Sequence, residues 1–164
     1  MWRRRRTKGE PAEIYTELRS QLLDLDPHSA GLRPTTELPE VWGALMEIAF
    51  PEGVATIVAL ADGTTSMYTS TGGGVIGGGE HEPVVAAARE FLAEAHRALD
   101  ELSPTESDQL PDPGNVAFLA LGFSRRRRGE AVEDDLMSMQ HPLSPLYAAG
   151  QDVVTALREA EASA

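Results

Sequence analysis

The pattern of apolar and polar residues predicts two helices before the first strand. Between Pro11 and the Asp26-Pro27 pair, apolar residues recur at helical spacing and form one face, made of Ile14, Leu18, Leu22 and Leu25. After a loop, Pro39 begins an apolar block that fills more than one helical stripe and ends at Phe50. This block predicts a short, largely buried second helix.

Two strands joined by a tight turn follow this block. Residues Val54–Ala61 are apolar on both alternating faces, which is typical of a strand in the middle of a sheet. Asp62-Gly63 is a strong signal for a two-residue hairpin turn. The return strand, Thr64 to Thr71, is rich in Thr and Ser, so it predicts an edge strand with one wet face.

The second half of the chain again alternates helix and hairpin. Glu82 to Leu102 has apolar residues at helical spacing and predicts the longest helix. The acidic, Pro-rich segment Ser103–Asn115 predicts an exposed, mobile loop. Val116–Phe123 predicts another buried strand, followed by a turn at Arg125–Gly129 and a weak strand from Glu130.

These elements together predict an α+β fold. Ser144-Pro145 combines an N-cap residue with a first-turn proline and predicts the final helix, so the element order is α-α-β-β-α-β-β-α. Short hairpins separated by helices indicate an antiparallel sheet of four to five strands packed by helices. Because the chain has 164 residues, we expect residues 11–162 to form a single α+β domain after a disordered basic N-terminus, residues 1–10.

Composition narrows the classes of function. The 26 acidic residues exceed the 14 basic ones, and the net charge of −12 disfavours nucleic acid as a partner. The chain has no cysteine, which excludes disulfides, thiolate metal sites and a cysteine nucleophile, and fits a reducing compartment. No apolar stretch approaches the ~20 residues of a membrane span and none follows the basic start, so we expect a cytoplasmic protein with no membrane contact.

Most of the basic residues lie in two runs, Arg3–Arg6 with Lys8 and Arg125–Arg128. Such runs could bind anionic lipid, nucleic acid or an acidic partner. Neither run is interleaved with aromatic residues or followed by an amphipathic helix. We therefore interpret them as a solvated terminus and a solvated hairpin tip.

A glycine-rich segment precedes the predicted long helix. It supplies the candidate residues for a ligand or partner loop, which are Gly72, Gly73, Gly74, Gly77, Gly78, Gly79, Glu80, His81 and Glu82. A glycine-rich loop at a helix start can bind phosphate, but no Lys or Arg follows, and Glu80 and Glu82 would repel an anion. The alternative is that the glycines let the backbone turn sharply against a neighbouring element.

The remaining polar groups indicate no catalytic site. Glu80, His81 and Glu82 have residue types that suit a divalent metal, but consecutive side chains diverge, so we predict no metal and no cofactor. Glu133-Asp134-Asp135 could serve acid–base chemistry or bind a cation, although such a run ordinarily ends a solvated strand. Because no GxSxG motif or placed nucleophile is present, we expect no catalytic residue.

Three stretches, Val54–Tyr68, Gly72–Glu82 and His141–Pro145, resemble a set of bacterial proteins over roughly residues 38–158, and that resemblance implies no activity. By element order alone the chain is also similar to roadblock-type dynein light-chain domains, which have a profilin-like fold. It departs from them by an extra N-terminal helix and by two rather than three strands after the long helix. The resemblance implies a dimerising adaptor, often beside small GTPases, without a catalytic site, and it transfers no functional residue.

We therefore expect a non-enzymatic protein that binds a protein partner or a second copy of itself, as a homodimer, through the strand Thr64–Thr71. The alternative is a small-molecule-binding protein or an enzyme with its site at the glycine-rich segment 72–83. In that case Glu80, His81 and Glu82 would be the polar groups of the site.

Overall fold

The structure, a computed structural model, describes residues 11–76 and 78–163, so the predicted disordered segment 1–10 lies outside the described residues. It is an α+β fold with one antiparallel seven-stranded sheet in the order β4-β3-β2-β1-β6-β7-β5. The strands are β1 (Val41–Phe50), β2 (Gly53–Leu60), β3 (Thr65–Thr69), β4 (Gly74–Ile76), β5 (Ser103–Pro104), β6 (Asn115–Gly122) and β7 (Arg126–Val132). The helices are α1 (Glu13–Leu23), α2 (Glu82–Arg97), α3 (Glu133–Met137) and α4 (Ser144–Ala162).

Residues 41–50 form the central strand β1, so the predicted second helix is wrong. β1 pairs with β2 on one side and with β6 on the other. Because both faces of this strand are covered, its side chains are apolar in both directions except at Glu47. An apolar run that is buried on every side has no periodicity that separates a strand from a helix.

The hairpin after β1 is present, but its turn and its edge differ from the prediction. The Leu60 N–H donates to the Thr64 carbonyl at 2.9 Å, which encloses a three-residue loop rather than a two-residue one. Gly63 has a φ of +96°, the left-handed conformation that such a loop requires of glycine. The strand predicted over Thr64–Thr71 is β3, and it is not an edge because β4 pairs with its outer side.

The second half contains more elements than the sequence analysis predicted. α2 ends at Arg97 rather than at Leu102, a 3-10 turn follows at Leu99–Glu101, and β5 occupies the start of the predicted loop. The longest helix is α4, with 19 residues. The observed order is α-β-β-β-β-α-β-β-β-α-α, so the predicted order and the predicted count of four to five strands are both wrong.

The sheet has two buried faces because successive side chains of a strand point in opposite directions. On the first, called the α2/α4 face, α2 and α4 pack on the sheet through a core that includes Met46, Phe91, Phe118 and Leu157. On the second, called the α1 face, α1 and two loops cover a core that includes Leu45, Val58, Tyr68 and Leu119.

α1 forms where the pattern predicted it, but a different side of it faces the sheet. Tyr15 and Arg19 are the buried residues of this helix, whereas Ile14, assigned to the apolar face by the sequence analysis, is 55% exposed. Leu18 and Leu22 are only half-buried. Tyr15 and Arg19 thus occupy the buried positions that helical spacing assigns to aliphatic side chains. The reason is Glu47 of β1, which lies beneath them and binds Arg19.

Candidate functional site

The first glycines of the predicted loop form a turn and a strand. Gly72 and Gly73 lie in an exposed turn between β3 and β4, and Gly74 begins β4. A Cβ on Gly74 would lie 2.6 Å from the backbone oxygen of Met67, so the close pairing of β4 with β3 requires glycine there. Gly77 lies outside the described residues.

The last glycines lie where the chain passes the β2–β3 turn on its way to α2. Gly78 is buried and Gly79 is half-buried. A Cβ on Gly79 would lie 2.5 Å from the carbonyl oxygen of Gly63, which gives glycine a packing role at this position. The side chains of Glu80–Glu82, including His81, are exposed at the start of α2, and only their adjacency in sequence brings them together.

A groove of about 640 Å³, called the α2 groove, lies between α2, the β2–β3 turn and residues 35–38. This volume falls within the ~300–1,000 Å³ of small-molecule sites. Among the described residues of the predicted segment 72–83, Gly79 is the one that lines it. The groove was not predicted, because its walls come from three segments that are distant in sequence.

A buried charged cluster on the α1 face was also missed by the sequence analysis. Glu47 of β1 is fully buried and accepts hydrogen bonds from the Nε and Nη2 atoms of Arg19, each at 2.8 Å. The Thr56 hydroxyl donates to Glu47 Oε2 at 2.9 Å. Because the Thr56 hydrogen is used in that bond, the Tyr15 hydroxyl donates to Thr56 Oγ1 at 2.7 Å. The available signal was Glu47 itself, a lone carboxylate inside the apolar block 41–50.

Two members of this cluster, Tyr15 and Arg19, have raised pKa values. Burial, reinforced by the Glu47 carboxylate, raises the pKa of the Tyr15 hydroxyl above its ordinary value, so the phenol stays neutral. Burial alone would lower the pKa of Arg19, but its hydrogen bonds and ion pair with Glu47 outweigh burial and raise that pKa. A neutral phenol and a paired guanidinium suit the anchoring of α1 to the sheet rather than proton transfer.

The arginines predicted to form a solvated hairpin tip belong largely to β7, so that interpretation is wrong for three of them. The Arg126 Nη2 atom donates to Asp108 at 2.9 Å. Arg127 donates to backbone carbonyls of the 3-10 turn and the residue after it, and Arg128 pairs with Glu130. The guanidinium groups of Arg126 and Arg127 therefore bind residues outside β7, and that of Arg128 binds a residue of β7 itself. Of the four arginines, only Arg125 is exposed, at the turn.

The acidic run Glu133-Asp134-Asp135 begins α3 rather than ending a strand. The Tyr147 hydroxyl of α4 donates to Glu133 at 2.9 Å, and burial together with this carboxylate raises the pKa of Tyr147 to about 12. Within residues 11–76 and 78–163, no group of three or more His, Asp or Glu side chains has the arrangement to hold a metal ion. This run therefore contributes helix-terminal charge and one anchor for α4.

No protein-family model, curated protein or solved structure matches the chain. Among the helices of the described residues, none is both long enough and apolar enough to cross a membrane. The assignment of function therefore depends on the surfaces and cavities themselves.

Proposed function

We propose that this chain is a cytoplasmic, non-enzymatic interaction module that associates with a protein partner, foremost a second copy of itself. This is the role that the resemblance to roadblock-type domains implies. The observation that carries the proposal is the distribution of exposed large apolar side chains, which in the described part of the chain are Ile14 (55% exposed), Val132 (48%), Met137 (61%) and Met139 (63%). Three of the four lie within eight residues, here called the 132–139 segment, and clustered exposure of this kind is typical of an interface.

The backbone beside this segment adds a second element of support. The Thr105 N–H donates to the Arg126 carbonyl at 3.0 Å, so Arg126 directs its backbone groups toward β5. The direction of the backbone N–H and C=O groups alternates from residue to residue along an antiparallel strand. The backbone groups of Glu130 and Val132 therefore point to the same side as those of Arg126, beyond the end of the two-residue β5. Among the described residues no strand pairs there, and an open edge next to apolar side chains favours addition of another strand.

The chemistry of the segment favours protein contact over catalysis. Methionine is flexible and adapts to the shape of a partner, which makes it frequent at interaction surfaces. The acidic run Glu133-Asp134-Asp135 lies within the segment, so two copies that meet there also bring like charges together. Dimerisation through this surface is therefore expected to become stronger as salt screens the repulsion.

Sedimentation velocity over the micromolar range tests this proposal. We expect a reversible dimer whose dissociation constant falls with added NaCl. The double change Met137→Gln and Met139→Gln should raise that constant at least about tenfold, because each buried methionine contributes roughly 1.5–3 kcal/mol. Ile14→Gln is the matched control, since it removes an equally exposed apolar side chain elsewhere. A monomer at every concentration, or equal effects of the two changes, would contradict self-association through this segment.

A second candidate function, binding of a small molecule, is supported by the α2 groove. The groove combines an apolar wall with charged side chains at its rim, the composition typical of ligand sites. It touches the glycine-rich segment at Gly79, and the predicted polar groups Glu80, His81 and Glu82 do not line it.

A further inference from the structure

The charges around the α2 groove lie on opposite walls and have opposite signs. Arg89 projects from α2, whereas Asp62 belongs to the β2–β3 turn and Glu37 to the loop before β1. The groove is also lined by the apolar residues Val85, Ala88 and Leu92 of α2, of which Val85 is half-buried and the other two are buried. A ligand that fills the groove therefore meets a cation on one side, carboxylates on the other and apolar side chains beneath.

Arg89 differs from Arg97, the other arginine of α2. Arg97 pairs with Glu90 and Glu94 at 2.8 and 3.0 Å, so its charge is compensated. Arg89 forms no ion pair with any residue in the described part of the chain. Its guanidinium has five N–H donors in a planar fork that matches a carboxylate.

The two carboxylates of the opposite wall also retain binding capacity. Asp62 Oδ1 accepts the Thr64 N–H at 2.9 Å, which holds this side chain at the turn and leaves its second oxygen for a ligand. Glu37 also lines the groove, from the loop before β1, and is exposed. A simple anion would be repelled by these two groups, and a simple cation would be repelled by Arg89. A molecule with both charges satisfies both walls.

We propose that the α2 groove binds a zwitterion of about dipeptide size with apolar side chains. Its carboxylate pairs with Arg89 and its ammonium group with Asp62 and Glu37, while its side chains cover the apolar surface. This inference rests on the second candidate function, binding at the groove, and is independent of association through the 132–139 segment.

Three probes that share the same two leucine side chains and differ in their terminal charges test the ligand class. Leucyl-leucine carries both charges, N-acetyl-leucyl-leucine only the carboxylate, and leucyl-leucine amide only the ammonium group. Titrated into the full-length protein and followed by ¹H–¹⁵N NMR, leucyl-leucine is expected to shift the resonances of Ala61, Ala88 and Leu92. Each blocked probe is expected to bind about tenfold more weakly, which corresponds to about 1.4 kcal/mol, because one charged hydrogen bond to the groove is lost.

Variants then assign each charge to its residue. Arg89→Gln should remove the preference for leucyl-leucine over its amide, and Asp62→Asn, which retains Oδ1 as the acceptor for Thr64, should weaken the preference over the acetylated probe. Arg97→Gln, on the same helix but compensated by glutamates, should change neither. Thermal melts check that each variant is folded, and the comparison of probes on the unchanged protein needs no variant.

Two results would overturn the proposal, and only the second would also contradict small-molecule binding at the groove. If all three probes shift the groove residues with equal affinity, the groove binds ligands but does not select a zwitterion. If no probe shifts them at millimolar concentration, both the ligand class and small-molecule binding at the groove are wrong. Neither result bears on self-association.

Discussion

On the α2/α4 face the sheet meets two long helices through side chains such as Met46, Phe91 and Phe118, whereas on the α1 face a buried ion pair lies under a single helix of 11 residues. The first arrangement is held by apolar burial, which has no preferred direction. The second adds Arg19 and Glu47, whose hydrogen bonds have both distance and angle requirements.

This difference shows how a short helix obtains a defined position. α1 presents only two fully buried residues, Tyr15 and Arg19, so apolar contact alone would allow it to slide along the sheet. The two parallel hydrogen bonds from Arg19 to Glu47 fix one point of the helix above β1, and the Arg19 Nη1 atom also donates to the Asp108 carbonyl at 2.7 Å. We infer that the cluster specifies where α1 and the loop around Asp108 lie, more than it adds to net stability.

The largest expected effect comes from removing one partner of the ion pair. Glu47→Ala leaves the Arg19 guanidinium buried without its carboxylate and should lower the free energy of unfolding by about 3–5 kcal/mol, measured by urea titration. Glu130→Ala is the matched control, because it removes a half-buried carboxylate that pairs with Arg128 and accepts from Asn115, and it should cost less than Glu47→Ala because both groups of its ion pair retain contact with solvent. The double change Arg19→Met with Glu47→Leu should recover most of the loss. Equal costs for the two single changes would show that the pair is not specially buried.

A cavity on the α2/α4 face should cost slightly less and respond differently. Leu157 of α4 is fully buried, and Leu157→Ala should lower the free energy of unfolding by about 3 kcal/mol through lost contacts and an unfilled cavity. For the ion pair, replacing the second charged partner as well recovers most of the loss. Leu157 has no charged partner, so no such second change can restore the stability of Leu157→Ala. Leu157→Met, which conserves volume, should cost less than about 1.5 kcal/mol. A Leu157→Ala protein as stable as the Leu157→Met protein would contradict tight packing of this face.

An intermediate effect is expected at the approach of the glycine-rich segment to the β2–β3 turn. Gly79→Ala places a Cβ 2.5 Å from the Gly63 carbonyl oxygen, so the backbone must move and the loss should be about 1–3 kcal/mol. Gly73→Ala, whose Cβ would lie 3.6 Å from the Thr69 hydroxyl oxygen, should change stability by less than about 0.5 kcal/mol. Thermal unfolding of both variants measures the difference, and a reversed order would remove the packing role of Gly79.

The smallest effect appears only at alkaline pH, on the α1 face. Burial, with the Glu47 carboxylate as a further cause, raises the pKa of Tyr68 to about 12, so the folded state resists ionisation that the unfolded chain undergoes near 10. This contribution is fully present below pH 10 and is lost as the pH rises toward 12, by at most about 2 kcal/mol. Tyr68→Phe should leave stability unchanged at neutral pH and flatten the alkaline decline. An unchanged decline would assign it to other groups.

Several elements could be predicted from local pattern because their partners impose a simple period. The strands β2 and β6 are apolar runs bounded by turn signals, and α4 begins at the predicted Ser144-Pro145 pair, although its N-cap residue is Leu143 rather than Ser144. β1 could not be separated from a helix, since a strand covered on both faces and paired on both edges is apolar on both sides, and its one charged residue, Glu47, does not create a period. β7 was predicted only from Glu130 onward, because its three arginines look solvated in sequence, whereas Arg126 and Arg127 bind residues of other segments and Arg128 pairs with Glu130 of the same strand.

The candidate site was predicted less well than the fold. The glycine-rich segment was recognised by its composition. Composition did not show that the segment divides into a turn at Gly72 and Gly73, the strand β4 and a close approach of Gly79 to Gly63. The α2 groove and the Arg19–Glu47 pair join residues that are far apart in sequence. No spacing rule connects such residues, because their separation depends on how the whole sheet is ordered.

The amino-acid sequence by itself determined the α+β class, the hairpin at Asp62-Gly63 and the presence of helices around an apolar sheet, since backbone propensity and side-chain periodicity are local properties. Tertiary structure alone decided that residues 41–50 form the central strand, that Arg19 lies over Glu47, and that Arg89 and Asp62 face one groove. The physical reason is that a buried charge or an unmarked apolar run has no preferred conformation of its own, and acquires one only when a partner from a distant part of the chain satisfies it.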